Sequence, residues 1–426
     1  MRMSKKTVLP RLRFPAFKDN PEWSIDALKD FSTPITKRAG TKEYTLLSVT
    51  SGIGLVSQVE KFGREIAGSS YKNYITIRQS DFAYNKSATK LFPEGYISML
   101  TNYENGAVPN SIFTCFRITD EHVYRDFINH LFQSNYHGHW LHKFIAVGAR
   151  AHGSLNIDDK HLWALPIALP KLEEQQKIAG CLSSLDDIIA AESKKLDILK
   201  THKKGLMQKL FPTEGKVVPE WRFPEFRDSR VWEEATLSKL ANFRRGSFPQ
   251  PYGLPEWYDE KDGMPFIQVF DVGEDMRVKP TTKNKISTLA TKQSVFIPKG
   301  TVIITIQGSI GRVAVTQYDA YVDRTLLLFE RFHQDIDKAF IAHTLKLLFD
   351  IEKQKAPGGI IKTITKEVLS DFKVKIPDVK EQQKISECLS SLDEKITAQA
   401  ERIEALKQHK KGLMQGLFPS AQEVME

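Results

Sequence analysis

The feature that most constrains this chain is an internal repeat of a long, helix-like segment. The sequence "EQQKIAGCLSSLDDIIAAESKKLDILKTHKKGLMQKLFP" at 174–212 aligns without a gap with "EQQKISECLSSLDEKITAQAERIEALKQHKKGLMQGLFP" at 381–419, with 25 identities in 39 positions. A second match begins each half, since "VLPRLRFPAFKDNPEW" at 8–23 and "VVPEWRFPEFRDSRVW" at 217–232 share the frame PxxRFPxFxDxxxW. The chain therefore consists of two copies of one plan, and this duplication predicts a pseudo-two-fold architecture.

The repeated segment has the periodicity of a coiled coil. Its apolar residues recur at alternating steps of four and three, and this 3.5-residue period holds for more than four heptads. Prolines bound both copies. We therefore expect two long helices, each about 54 Å for 36 residues at 1.5 Å per residue, that pair antiparallel. The apolar seam residues are Ile178, Leu182, Leu185, Ile189, Leu196, Leu199, Leu206 and Leu210 in the first copy, and Ile385, Leu389, Leu392, Ile396, Ile403, Leu406, Leu413 and Leu417 in the second.

Polar residues interrupt the seam at the same two steps in both helices. A polar seam residue usually fixes the register of a coiled coil at some cost in stability. A slip by one heptad would place Lys410 against Leu185 and bury a charge in an apolar layer. The alternative is that these positions are solvated. The predicted register pairs Glu192 with Lys410, Gln399 with Lys203, Leu196 with Leu406, Ile189 with Leu413, and Leu185 with Leu417.

The regions between the shared ends have diverged, although strand-like segments correspond. "LLSVTSG" at 46–52 aligns with "FIQVFDV" at 266–272, and "DFAYNKS" at 81–87 aligns roughly with "TVIITIQGSIG" at 301–311. Drift after duplication is the alternative, but we favour two domains with different targets. The predicted fold is α+β, with two similar globular domains at 1–170 and 213–377 and two helical regions at 171–212 and 378–426.

Composition narrows the class of protein. An apolar fraction of 41% and a charged fraction of 27% are typical of a soluble globular protein. No run of eighteen apolar residues and no secretory signal occurs, and three widely separated cysteines suit a reducing cytosol, so we expect a cytoplasmic protein without a disulfide framework. The net charge of +9 favours a polyanionic partner.

Catalytic motifs are missing from the sequence. It has no Asn/Asp-Pro-Pro-aromatic motif for adenine methylation, no dinucleotide-binding glycine turn and no GxxxxGK[ST] phosphate loop. "PDVKEQQK" at 377–384 has the residue types of a metal-dependent nuclease, but Glu381 belongs to the helix start. The histidines of "HGHWLH" at 137–142 could bind a metal, yet no cysteine lies near them, so we expect no metal site.

At this point the layout resembles the specificity (S) subunit of type I restriction–modification enzymes. "LPKLEEQQKIAGCLSSLD" and "IPDVKEQQKISECLSSLD" are similar to the helix starts of that family, "HKKGLMQ…LFP" to its helix ends, and "GSIG" at 308–311 to a common loop of its recognition domains. The resemblance covers essentially the whole chain in the same order. "AYNKSA" stands in the first domain where the second has "TIQGSIG", so residue-level transfer there is less direct.

The resemblance implies a DNA-reading subunit without catalysis of its own. Each domain would read one half of a split, asymmetric site, and the helix pair would set the spacing and dock two modification subunits. Those subunits would bind S-adenosylmethionine and methylate adenine at N6, and motor–nuclease subunits with ATP and Mg would add restriction. No cofactor is expected on this chain. Independently, two similar domains related by a dyad suit half-sites about 34 Å apart on one duplex face.

Loops rich in basic and polar residues are the candidate DNA-contacting segments, because Lys and Arg contact phosphates while Arg, Asn, Gln and Ser read base edges. Taken singly, each of these residues is more often a solvated surface group. The candidates are Tyr84, Asn85, Lys86, Ser87, Lys90, Arg150, His152 and Ser154 in the first domain, and Arg244, Arg245, Gln250, Gln307, Ser309, Arg312, Lys355, Lys362 and Lys366 in the second.

Three other functions remain open at this stage. The first is a coiled-coil structural adaptor that binds proteins rather than DNA. The second is a self-contained methyltransferase–nuclease, which the missing motifs argue against. The third is a recognition subunit that serves modification alone, without restriction partners.

Overall fold

The chain divides into two compact units, and each long helix crosses from one unit into the other. The computed structural model describes residues 6–50, 52–66, 69–145, 155, 157–355 and 366–425, with the backbone alone at 69, 354 and 355. The first unit comprises Met1–Ala191 with Ile403–Glu426, and the second comprises Glu192–Arg402. The predicted domain boundaries follow chain order, whereas these units cut both helices near their middle. Each unit is therefore completed by helix from the other repeat.

The first unit combines short strands with short helices. Its strands are β1 (Thr7–Val8), β2 (Trp23–Ala27), β3 (Ser32–Pro34), β4 (Leu47–Thr50), β5 (Gly54–Ser57), β6 (Ile75–Arg78), β7 (Phe82–Asn85), β8 (Tyr96–Met99), β9 (Asn105–Val108), β10 (Phe113–Ile118) and β11 (Pro166–Leu169). Its helices are α1 (Leu28–Phe31), α2 (Gln58–Phe62), α3 (Arg125–Gln133), α4 (Tyr136–Leu141), α5 (Asp159–Trp163) and the first half of α6 (Leu172–Leu210).

The second unit contains a corresponding set of strands and helices. Its strands are β12 (Glu233–Thr236), β13 (Ala241–Arg245), β14 (Met264–Ile267), β15 (Asn284–Ile286), β16 (Val295–Ile297), β17 (Val302–Thr305), β18 (Val313–Val315), β19 (Ala320–Val322), β20 (Leu326–Phe332) and β21 (Lys373–Ile376). Its helices are the second half of α6, α7 (Leu237–Leu240), α8 (Thr288–Thr291), α9 (Lys338–Lys355), α10 (Lys366–Ser370) and the first part of α11 (Val379–Leu417). The rest of α11 and the short α12 (Ala421–Met425) belong to the first unit.

The same four-stranded sheet lies in both units. Its strand order is β3-β10-β7-β8 in the first unit and β13-β20-β17-β18 in the second, with antiparallel pairing throughout. β7 and β17 thus occupy the same place, as the alignment of "DFAYNKS" with "TVIITIQGSIG" predicts. A strand pair that closes each domain is also shared, since β2 pairs with β11 and β12 pairs with β21. The duplicated plan therefore extends through the diverged middle.

The remaining strands differ between the units. "LLSVTSG" contains β4, which pairs with β5 in a two-stranded ribbon, and its Leu46 forms an isolated bridge with Ala107. The start of "FIQVFDV" instead ends β14, which pairs with β15 and in parallel with β19. The strand prediction is right for Leu47–Thr50 of the first segment, but in the second it is right only for Phe266 and Ile267, because Val269–Asp271 form a 3₁₀ turn. The scaffold is shared, and the attached sheets are not.

Each domain is fastened to its own long helix by the residues that are identical in the two copies. Arg13 forms two hydrogen bonds to Glu174, at 2.8 and 2.7 Å, and Arg222 does the same to Glu381, at 2.7 and 2.6 Å. Both carboxylates are 1% exposed. Because a planar guanidinium matches a carboxylate in this two-pronged geometry, the arginine of RFP and the glutamate of EQQ form one buried joint.

The first glutamine of EQQ makes a second joint. The side chain of Gln175 donates to the carbonyl of Pro170 and accepts from the amide of Tyr124, just before α3. Gln382 donates to the carbonyl of Pro377 and accepts from the amide of Asp337, just before α9. The repeated motifs therefore hold the globular domains on the helices.

Both long helices contain 39 residues, about 58 Å at 1.5 Å per residue, and begin after the predicted prolines. Their ends are buried in the domains, whereas most seam residues from Leu185 to Leu206 are only half-buried. Among the described residues, no helix has the length and apolar character needed to cross a membrane. Within each unit the paired helix segments run antiparallel, as the sequence predicts.

The predicted register of the helix pair is wrong. Lys410 donates to Asp186 at 2.6 Å in the first unit, and Lys203 donates to Asp393 at 2.5 Å in the second. These pairings correspond to a shift of about one heptad from the prediction. Leu417 accordingly shares a buried cluster with Ile178 and Leu182, not with its predicted partner Leu185. A lysine at a seam position does not bury an unpaired charge, because its long side chain reaches the aspartate beside the apolar layer.

Glu192 and Gln399, which occupy the same position in the two copies, bind each other. The Gln399 amide donates to the Glu192 carboxylate at 2.7 Å, and Arg402 lies 3.0 Å from that carboxylate. The hydrogen bond from Gln399, with help from Arg402, lowers the pKa of Glu192. The predicted pairs Glu192–Lys410 and Gln399–Lys203 are thus replaced by Glu192–Gln399 and two Lys–Asp pairs.

Candidate nucleic-acid interface

In the second unit, a tight turn presents polar side chains at one end of the four-stranded sheet. The turn joins β17 to β18, and Gly308 and Gly311 adopt φ values of +68° and +81°, which favour glycine. The Thr305 hydroxyl donates to the carbonyl of Ser309 at 2.5 Å and accepts from the amide of Arg312. Gln307 and Ser309 are both exposed. These hydrogen bonds hold the turn of the "GSIG" loop in place, with the side chains of Gln307 and Ser309 exposed on it.

Neighbouring segments converge on the same end of the sheet. Leu327 of β20 pairs with Ile304 on one side and Arg245 on the other. Backbone hydrogen bonds join Ile306 to Thr325 and Gly246 to Leu326. The loop after β13, the turn after β17 and the turn before β20 thus form one edge. Arg244 and Arg245 are exposed there, although Arg244 also lies 3.7 Å from Glu330.

Arg324 joins this edge, and sequence reasoning missed it. Its side chain is exposed, and its guanidinium carbon lies 5.5 Å from the centre of the Tyr252 ring. The Tyr252 hydroxyl donates to Asp323 at 2.5 Å and accepts from Gln268 at 2.8 Å. Burial, reinforced by the hydrogen bond to Asp323, raises the pKa of Tyr252, so the phenol keeps its proton. Hydrogen bonds to Asp323 and Gln268 thus fix the Tyr252 ring on which the Arg324 guanidinium lies.

Other predicted residues of the second domain serve different roles. Arg312 donates to the carbonyl of Val272 at 3.1 Å and lies 3.3 Å from Glu274, so it braces the turn. Gln250 is exposed in the loop after β13. The Lys366 ammonium lies 5.8 Å from the Phe243 ring centre. Lys362 lies outside the described residues, as does the side chain of Lys355.

In the first unit, the corresponding edge has different chemistry. Lys90 is exposed on the loop after β7, while Asn85 and Ser87 are half-buried and linked by a 3.0 Å hydrogen bond. Lys86 pairs with Asp159 at 2.7 Å. Leu155 donates its amide to the carbonyl of Lys86, which ties the segment before α5 to this edge. The predicted contacts Arg150, His152 and Ser154 lie outside the described residues.

Tyr84 is not available to DNA in this structure, so that prediction is wrong. Its side chain is 0% exposed, and its hydroxyl donates to the carbonyl of Glu94 at 2.7 Å. Both faces of β7 are buried, with Tyr84 in one core cluster and Ala83 in another, and Asn85 at the strand end is the first residue to reach the surface. Strand position, which "AYNKS" alone does not reveal, decides which side chain is exposed.

The histidine-rich segment does not assemble a metal site. His137 is fully buried against the carbonyl of Gly95, and burial lowers its pKa to about 4. His142 instead lies 3.1 Å from Glu94 at the surface. Over the described residues, no group of three or more His, Cys, Asp or Glu side chains could hold a metal ion.

Two domains with one sheet topology, each carrying a different polar edge and each fastened to paired helices, define a class of duplicated recognition proteins. A profile described as "Type I restriction modification DNA specificity domain" matches residues 58–201 and 230–408, more than half of the chain. The chain therefore belongs to the family of type I restriction–modification DNA specificity proteins.

Two known relatives agree with this assignment. The chain is 26% identical over 276 residues to the putative type I restriction enzyme MjaX specificity subunit of Methanocaldococcus jannaschii, an alignment that covers 64% of this chain and 63% of that protein. It is 25% identical over 290 residues to the MjaVIII specificity subunit of the same organism, with coverage of 64% and 65%. In both cases the chain spans less than two thirds of the relative's length.

Solved structures share the fold. A type I restriction–modification S subunit from M. genitalium matches with a TM-score of 0.59 at 15% identity, covering 97% of this chain and 99% of the other. A chain from a structure that addresses complex assembly and conformational transition of the type I R-M system matches with a TM-score of 0.55 at 20% identity, covering 94% and 98%. At these identities the likeness concerns the fold alone.

Proposed function

We propose that this chain is the DNA-specificity subunit of a type I restriction–modification complex and performs no catalysis itself. Each recognition domain reads one half of a bipartite, asymmetric DNA site through the loops at the end of its four-stranded sheet. The observation that supports this most is the pairing of one shared sheet topology with two different polar edges. Two readers built alike but with unlike loops suit two unlike half-sites.

The helix pair sets the spacing of the half-sites and docks two modification subunits. Those partners bind S-adenosylmethionine and methylate adenine at N6, and motor–nuclease subunits with ATP and Mg complete a restriction complex. Support comes from the family, from the rigid arginine–glutamate joints and from the basic charge of +9. The adaptor alternative has no observation in its favour.

The test is a map of methylated adenines. The chain is produced with the modification subunit of the same system in cells that lack other adenine methylation, and the genome is sequenced for N6-methyladenine. We expect one split, asymmetric motif. A palindromic motif, or no motif, would contradict the proposal.

Variants in the two domains test which half-site each domain reads. Gln307→Ala with Ser309→Ala should relax or change only the half-site read by the second domain, because a lost base contact weakens discrimination by about 1–3 kcal/mol at its own position. Lys90→Ala in the first domain should instead weaken binding alike for all sequences, and more so at low salt. A change in both half-sites from the first pair of variants would overturn the assignment of one half-site to each domain.

A further inference from the structure

The identities between the two long helices are concentrated at their ends. Eleven of the 25 identities fall at 174–186 and twelve at 199–212, whereas the twelve positions between share only Ile189 and Ala191. In both units the start of one helix lies beside the end of the other. The two junctions are therefore nearly identical in sequence, whereas the helix segments that connect them differ.

Packing explains most of the identities at the junctions. The identical apolar residues of the first helix are buried, namely Ile178, Leu182, Met207, Leu210 and Phe211. The identical glutamate, glutamine, aspartate and lysine residues form hydrogen bonds or ion pairs within their unit. Even the exposed Lys177 and its counterpart Lys384 stack on the phenylalanines of the RFP motifs. Side chains with such partners must stay the same in both copies for structural reasons.

Several exposed identical residues, His202 and its counterpart His409 among them, are not explained in this way. One set of them lies along a single helix face. It consists of Lys200, Lys204 and Gln208 in the second unit, and Lys407, Lys411 and Gln415 in the first, all exposed. The spacing of four residues places each trio along one face of its helix. We call each trio a lysine stripe.

Both lysine stripes line a cleft of their own unit. The cleft of the second unit measures about 410 Å³ and is also lined by Met207, Phe211, Pro212 and α9. The cleft of the first unit measures about 1060 Å³ and is also lined by the counterparts Met414, Phe418 and Pro419. Two equivalent clefts therefore share a basic rim and an apolar floor.

The rim carries positive charge that the protein itself does not neutralise. Lys203 and Lys410, which also line the clefts, are paired with Asp393 and Asp186. By contrast, Lys200, Lys204 and Lys411 have no carboxylate within ion-pair distance among the described residues, and Lys407 pairs only with the exposed Glu404. The clefts therefore suit an anionic occupant.

We propose that each lysine stripe docks an acidic protein segment that also carries apolar side chains, and that the same partner presents this segment to both units. The occupant must be the same at both clefts, since the stripe is identical while the loops that read different half-sites have diverged. Met, Phe and Pro in the floor favour a protein segment over a phosphate backbone, which offers no apolar groups. This inference rests on the proposed function, in which that partner is the modification subunit.

Charge reversal of single stripes tests the proposal on the full chain. The variants are Lys200→Glu with Lys204→Glu, Lys407→Glu with Lys411→Glu, and all four together. The control is Lys194→Glu with Lys209→Glu, which makes the same charge change at exposed positions of the same helix whose counterparts are Glu401 and Gly416. The stoichiometry and affinity of the modification subunit are measured by light scattering and calorimetry, and DNA affinity of the chain alone by anisotropy.

We expect wild type and control to bind two modification subunits, either double variant to bind one tightly, and the quadruple variant to bind none. Each reversed stripe should weaken its site by roughly tenfold or more, because reversal turns attraction into repulsion. DNA affinity should fall equally in the control and in either double variant, by the general charge effect alone, and further in the quadruple variant, which carries twice the charge change. Carbodiimide, which joins amines to touching carboxylates, should couple Lys204 and Lys411 to acidic peptides of the partner.

Two results would overturn the inference. Full binding of two modification subunits by the quadruple variant would exclude the stripes as docking sites. A fall in DNA affinity of either double variant well beyond that of the control, with partner binding intact, would show that the stripes contact phosphates. If wild type binds no modification subunit, the proposed function fails instead, so the two failures are distinguishable.

Discussion

At the scale of single residues, the buried arginine–glutamate joints explain why RFP and EQQ recur together. Arg13 and Arg222 each satisfy a carboxylate that is almost completely removed from water, and each also donates to two backbone carbonyls of its own segment. One side chain thereby joins the start of a domain to the start of its helix.

Arg222→Leu should destabilise the second unit by roughly 3–5 kcal/mol, because it leaves Glu381 buried without its partner. Arg222→Lys should recover only part of this loss, since an ammonium cannot form the two-pronged pair. Urea unfolding measures both changes in free energy of unfolding. The exposed Arg227→Leu is the control and should stay within about 0.5 kcal/mol of wild type. Equal effects of Arg222→Leu and the control would refute the role of the joint.

A buried histidine makes the second unit sensitive to acid. Burial lowers the pKa of His343 to about 3, and the nearby Lys203 and Lys346 add repulsion. Its ring lies 3.9 Å from Asp393, but Lys203 already neutralises that carboxylate, so the imidazole stays neutral. The unfolded chain, with an ordinary histidine pKa of about 6.5, binds this proton at a higher pH than the folded chain does.

The stability contributed by neutral His343 should therefore be present above pH 6.5 and be lost as the pH falls below it. From pH 7 to pH 5 the loss from this group is about 2 kcal/mol. His343→Gln should flatten this part of the pH profile of the second unit, as measured by urea midpoints. His333→Gln, at an exposed site of the same unit, is the control. An unchanged slope in His343→Gln would contradict the expected neutral state.

At the scale of elements, the helix pair shows what the sequence could and could not predict. The antiparallel pairing agrees with the prediction, and the two helices follow from their heptad spacing and the prolines that bound it. The register does not follow from the sequence pattern. The prediction excludes the observed register because it places lysines opposite leucines, but the lysine side chains are long enough to reach a neighbouring aspartate. The candidate interface is likewise only partly predictable. "GSIG" marks a turn in the sequence, but the position of Arg324 over Tyr252 depends on contacts of Tyr252 with residues distant in sequence.

Exchanging the charges of one Lys–Asp pair tests the observed register. Asp393→Lys alone should lower the free energy of unfolding of the second unit by several kcal/mol, since it sets two partly buried ammonium groups together. Adding Lys203→Asp should restore most of the loss, as measured by urea unfolding in a double-mutant cycle. Lys373→Ala, which removes an exposed pair with Glu234, is the control and should cost about 0–1 kcal/mol. The predicted register, which places Lys203 against Gln399, allows no such rescue.

At the scale of the whole molecule, each unit is completed by residues from the other repeat. The Phe418 ring lies 5.1 Å from that of Phe127 in the first unit, and its counterpart Phe211 lies 5.5 Å from Phe340 in the second. The compact units therefore do not coincide with the order of the chain. Sequence reasoning could identify the repeat, but a repeat alone does not reveal which copy supplies which part of a core.

Phe418→Ala should destabilise the first unit by about 3–5 kcal/mol and leave the second nearly unchanged, while Phe211→Ala should do the reverse. The reason is that each ring fills the core of the unit opposite to its own repeat. Hydrogen exchange of α3 and α9, measured in both variants, reports on the two units separately. Faster exchange of α9 in Phe418→Ala would show that the units are not divided in this way.

The borrowed helix ends also have a consequence for synthesis. A ribosome delivers residues 403–425 roughly two hundred residues after the domain that they complete. The nascent first domain must therefore wait, with the apolar patch around Phe127 uncovered, while the second is being translated. The part of the protein that is made first is the part that finishes folding last, and this interval is when the newborn chain most needs a chaperone.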